Sequence, residues 1–99
     1  LLTDDHEAVR ETTAALLIDM GHKVDHAADA REMLDKLTAD PAAYDLVVTD
    51  YAMPLMSGGE ALNHARSIRP DIPALIISGY ADVSAVQNKP DNVTVLTKP

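Results

Sequence analysis

Five polar side chains stand where apolar runs of this chain end: Asp4 and Asp5 after Leu2, Asp50 after Val47 and Val48, Ser78 after Ile76 and Ile77, and Lys98 after Val95 and Leu96. As chemical groups they are three carboxylates, a hydroxyl and an ammonium. Three carboxylates drawn into one place repel each other, and a hard divalent cation between them removes that cost. Mg2+ held by one or two carboxylates and several waters is the usual arrangement, and its open positions take phosphoryl oxygens. Such a set suits phosphoryl chemistry at one carboxylate, provided that the fold gathers it.

The positioning elements are legible from periodicity. Leu1-Leu2-Thr3 reads as the tail of a first strand. Asp5 is placed to cap a helix that carries Val9, Thr13, Leu16, Leu17 and Met20 on one face, with Gly21 at its C′ position. A short strand is expected over residues 23–27. Asp29 and Glu32 have capping-box spacing, and Ala30, Met33, Leu34 and Leu37 form the stripe of a second helix. Residues 44–49 predict a buried strand, and Pro54, Gly58 and Gly59 predict a loop over residues 50–59. A third helix is expected from about Glu60, with Leu62, Ala65 and Ile68 inward, ending before Pro70. Residues 72–78 and 93–96 predict the last two strands, with a short helix over 81–88 between them.

Strands alternating with helices imply a parallel α/β sheet. In such sheets ligands bind at the carboxyl ends of the strands, near the point where strand order reverses. All five polar residues belong to that edge. With strand order 2-1-3-4-5, right-handed crossovers put the first helix on one face and the next three on the other. A parallel sheet needs both faces covered. The chain therefore reads as a single domain over residues 1–99, trimmed at the start of the first strand and lacking a last helix.

The Asp4-Asp5 pair, the run from Val47 to Pro54, Met56-Ser57-Gly58, Ile76-Ile77-Ser78-Gly79 and Lys98-Pro99 together resemble the receiver domain of two-component response regulators, in the family's order and spacing. The stretches Thr49 to Pro54 and Ser78 to Ala81 are similar to receivers of hybrid sensor kinases. The resemblance implies a flavodoxin-like doubly wound sheet and a cytoplasmic phosphorelay module. It implies that Asp50 is the phosphoacceptor, taking its phosphoryl group from a phosphohistidine on a sensor histidine kinase or phosphotransfer protein. Mg2+ would be held by Asp4, Asp5, Asp50 and the Ala52 backbone carbonyl, with Ser78 and Lys98 contacting the phosphoryl group. The domain would catalyse its own phosphorylation and dephosphorylation and would not turn over small substrates. Its switched surface would address an output domain or partner outside this chain. Two departures stand out: Val95 replaces the family's common aromatic residue, which argues against an aromatic rotamer switch, and Ala52 has no group to orient an attacking water, which implies a long-lived phosphoryl group.

Taken singly, these residues have plainer readings. An acidic pair before a helix usually caps it, an Asp after a strand usually starts a turn, and a lone Ser or Lys is a surface group. His6, His22, His26 and His64 read as surface histidines without ligand spacing. Three rivals are weaker. A haloacid-dehalogenase-like phosphatase needs a second Asp where Ala52 stands. A flavin-mononucleotide site would not put Asp4-Asp5 against a phosphate. A receiver-like binding module that works without phosphorylation would not need all five positions filled.

Composition sets outer bounds. The chain has 99 residues, a hydrophobic fraction of 46%, three Tyr and no Phe, Trp or Cys, so its core is aliphatic and thiol chemistry is excluded. A formal net charge of −8 opposes direct binding to nucleic acid or anionic lipid. No apolar run is long enough for membrane insertion.

Overall fold

The structure is a computed structural model that describes residues 1–53, 56–78 and 93–97. In chain order its elements are β1 (Leu2–Thr3), α1 (Glu7–Asp19), β2 (His26–Ala27), α2 (Ala30–Ala39), β3 (Val47–Asp50), α3 (Gly58–Ile68), β4 (Ala74–Ser78) and β5 (Thr94–Thr97). The five strands form one parallel sheet, as the alternating pattern predicts, and their order β2-β1-β3-β4-β5 is the one that the flavodoxin-like resemblance implies.

Side-chain alternation on the strands separates two cores. Val47, Ala74 and Ile76 point toward α2 and α3, where they meet Met33, Leu37, Leu62, Ala65 and Ile72. Burying each of the larger aliphatic side chains contributes about 1.5–3 kcal/mol, so this face supplies most of the hydrophobic stabilisation. Val48 and Leu2 point the other way and meet Ala14 of α1, with Val24, Leu46, Leu75 and Ile77 packed around them.

Local signals explain the helix ends. The Asp29 carboxylate accepts the Glu32 backbone N–H at 2.8 Å, the expected cap of α2. Gly21 has φ +96°, and its N–H and that of His22 donate to the carbonyls of Ile18 and Leu17, closing α1 with a Schellman motif.

Several boundaries differ from the sequence reading. The N-cap of α1 is His6, and Asp5 makes no cap; the Asp4 carboxylate instead accepts the His6 backbone N–H at 2.9 Å, tightening the turn one residue earlier. The stripe expected to bury α1 is only partly inward: Ala14 is its buried residue, while Leu16 and Met20 are 63% and 72% exposed. Val9 and Leu16 line a cavity of about 620 Å³ with Leu2, Ile77 and Leu96. Helix α3 begins at Gly58, two residues before the expected Glu60, because the Ser57 hydroxyl accepts the Glu60 N–H at 3.2 Å. Residues 44–46 and 72–73 lie outside β3 and β4, β2 is confined to two residues, and β5 sits one residue later than expected. The helix expected over 81–88 falls outside the described residues. Among the described residues no helix is long and apolar enough to cross a membrane.

Candidate functional site

Register decides which polar residues meet. Thr3 pairs with Thr49, so Asp4 leaves β1 level with Asp50, the last residue of β3. Asp50 pairs with Ile77, which sets Ser78 one step further along the same edge. Asp4 and Asp50 are 6% and 3% exposed and Ser78 is fully buried, an unusual degree of burial for carboxylates. Both residues line the cavity beside α1.

Carboxylate oxygens of Asp4, Asp5 and Asp50 and an imidazole nitrogen of His6 all lie within 4.8 Å of one another. The Asp4 main chain is held as well, since its carbonyl accepts the Arg10 guanidinium at 2.8 Å. Ala52 is exposed beside this cluster in sequence. Lys98, Pro54 and Gly79, which the sequence reading also singled out, lie outside the described residues.

The loop leaving Asp50 is pinned by glycine. The Gly58 N–H donates to the Tyr51 carbonyl at 2.7 Å. A Cβ on Gly58 would stand 2.4 Å from the Asp50 backbone oxygen and 3.1 Å from the Asp50 carbonyl carbon. The start of α3 thus packs directly on the main chain of the buried aspartate, and only a residue without a side chain allows that approach. The Thr49 hydroxyl donates to the same Asp50 carbonyl at 3.1 Å.

His6 is the group the sequence reading missed, having been assigned to the surface without a ligand role. Its ring is indeed 66% exposed, yet its Nδ1 lies 3.2 Å from Asp5 Oδ1 and 3.5 Å from Asp4 Oδ1. The available signal was adjacency: a residue following an acidic pair at a strand end is carried to the same edge.

The family model described as the response regulator receiver domain matches residues 1–99. The chain belongs to that family. Among curated relatives this receiver is 36% identical over 90 residues to sensor kinase CckA of Brucella abortus, covering 91% of this chain and 10% of that kinase. It is 38% identical over 84 residues to response regulator MprA of Mycolicibacterium vanbaalenii, covering 85% of this chain and 36% of that regulator. The receiver thus spans a minor part of the length of both proteins. Among solved structures it is similar to response regulator TrrA of Thermotoga maritima, in complex with Mg2+ and a beryllium fluoride, with TM-score 0.81, 27% identity, and coverage of 99% of this chain and 84% of that one.

Proposed function

We propose that this receiver accepts a phosphoryl group on Asp50 from the phosphohistidine of a sensor histidine kinase or phosphotransfer protein, in a Mg2+-dependent transfer. The observation that carries the reading is the convergence of Asp4, Asp5 and Asp50 at the carboxyl edge of a parallel sheet, with Asp50 almost wholly buried. The residues fit a hard divalent cation. The donor set is mainly carboxylate, and Asp5 Oδ1 is buried without a hydrogen-bond partner among the described residues. Asp4, Asp5, Asp50 and the Ala52 carbonyl would hold Mg2+, which when bound supplies positive charge between the acceptor carboxylate and the incoming phosphoryl oxygens.

The chain's own residues do the rest by position. One Asp50 oxygen bonds to phosphorus as the phosphorus–nitrogen bond of the donor breaks, and the electron pair returns to the donor imidazole. Burial of Asp50 keeps water from competing at the carboxylate. Gly58 packs against its backbone and Thr49 hydrogen-bonds to it, so the nucleophile is oriented before the donor arrives. Ser78 would donate its hydroxyl to the bound phosphoryl group, and Lys98 would add its ammonium charge. The exposed Ala52 methyl offers nothing to orient a hydrolytic water, consistent with slow loss of the group. The added charge at Asp50 would then bias a surface read by an output domain or partner protein. The complex formed by TrrA lends the metal-dependent chemistry support.

The test is incubation of the chain with MgCl2 and acetyl phosphate, followed by intact-mass and peptide mass spectrometry, with Asp50→Ala alongside. One phosphoryl adduct on the peptide containing Asp50, absent in Asp50→Ala and in chelator, is expected. An adduct elsewhere, or one indifferent to the substitution, overturns the reading.

A further inference from the structure

We propose that His6 is a nitrogen ligand of the divalent-cation site and tilts its preference from Mg2+ toward Mn2+, Co2+ and Zn2+. The inference rests on the reading that Asp4, Asp5 and Asp50 hold a divalent cation. It begins from a contact that is close without being a hydrogen bond. His6 Nδ1 stands 3.2 Å from Asp5 Oδ1, yet that buried oxygen has no hydrogen-bond partner among the described residues. A cation bound to both atoms would give the unpartnered oxygen a ligand role at this spacing.

The spacing suits that role. Donors at about 2.1 Å from a metal ion, in adjacent positions of an octahedron, lie about 3.0 Å apart. His6 Nδ1 sits 3.2 Å and 3.5 Å from the oxygens of Asp5 and Asp4, so a small contraction completes such a shell. The backbone of His6 is anchored twice, through its N–H to Asp4 Oδ1 at 2.9 Å and through its carbonyl to the Arg10 N–H at 2.9 Å. The ring is 66% exposed, with open space around it. It can therefore swing onto an ion entering from outside while its Cα stays in place.

Ligand chemistry then sets the selectivity. Mg2+ prefers oxygen donors and keeps its waters, whereas imidazole nitrogen favours Mn2+, Co2+ and above all Zn2+ over it. An exposed histidine beside two carboxylates has a plainer role, as an outer charge neighbour that the ion never touches. The two roles predict different things. An outer neighbour affects all divalent ions alike, whereas a ligand affects the nitrogen-seeking ions selectively.

The experiment is isothermal titration of the whole chain with MgCl2, CoCl2 and ZnCl2, comparing the wild type with His6→Ala, His6→Asn and Asp50→Ala. Spectra of 15N-labelled imidazole are recorded during the Zn2+ titration. Both His6 variants are expected to lose about tenfold or more in Co2+ and Zn2+ affinity while Mg2+ affinity changes by less than about threefold. The His6 Nδ1 resonance is expected to move on Zn2+ addition. An equal change for all three ions, no change, or a His6 resonance indifferent to Zn2+ overturns the proposal. Undiminished Mg2+ affinity in Asp50→Ala instead marks the failure of the underlying reading, so the two failures are separable.

Discussion

Replacing Gly58 by alanine sets two physical effects against each other. Gly58 opens α3 without a positive φ, so helix propensity alone predicts that Gly58→Ala stabilises the chain by up to about 1 kcal/mol. The packing predicts the reverse. The new Cβ would lie 2.4 Å from the Asp50 carbonyl oxygen, while real Cβ contacts almost never fall under 3.0 Å, so the atoms must part by 3.0 − 2.4 = 0.6 Å at least. Both partners are backbone, and neither can swing away as a flexible side chain would. Overpacking of this kind costs about 1–3 kcal/mol. The same shift strains the Gly58 N–H bond to the Tyr51 carbonyl, worth about another 1 kcal/mol. The clash outweighs propensity, and a net loss of about 1–3 kcal/mol is expected in urea unfolding. Because the displaced atoms belong to Asp50, the rate of labelling by acetyl phosphate should fall as well, by up to about a hundredfold for a full ångström of misplacement. Unfolding and labelling curves that superimpose on those of the wild type, or a more stable variant, would show that the clash is not there.

Thr3 is fully buried, and its hydroxyl has no hydrogen-bond partner among the described residues. Thr3→Val removes that unsatisfied group at nearly constant shape and should stabilise the chain by about 1 kcal/mol; a lower melting temperature would contradict this. Tyr44 donates to the Asp25 carboxylate at 2.5 Å, an interaction that raises the phenol from 10.0 to about 12 and lowers the Asp25 carboxyl. The folded state holds the phenol proton more tightly than the unfolded one. The phenol's contribution is therefore whole below pH 10 and is lost as pH rises through the interval from 10 to 12. Thermal melts across that interval should decline more steeply for the wild type than for Tyr44→Phe, and equal slopes would count against the linkage.

Much of this fold is written in local pattern. The alternation of apolar runs and helical stripes specifies a parallel α/β sheet, and Asp29 before Glu32 and Gly21 after α1 mark helix ends through their own backbone chemistry. The polar residues at strand ends are equally local, since side-chain type and strand length say where each run stops. Two adjoining readings failed for one reason. Gly58 and Gly59 look like loop residues because glycine is a poor helix former, yet they open α3, where Gly58 lets the helix approach the Asp50 backbone. Met20 and Leu16 look like core residues because they share a helical stripe, yet a stripe does not reveal what stands opposite it. Residue pattern alone specifies the element types and the residues at the carboxyl edge, whereas the strand order came with the resemblance to receivers and handedness only assigned the helices to faces. Packing between distant segments settles that Thr3 pairs with Thr49, which brings Asp4 level with Asp50, and that His6 Nδ1 lies against the acidic pair. Register and ring orientation depend on contacts between distant segments of the chain, and no local pattern of residue types encodes them.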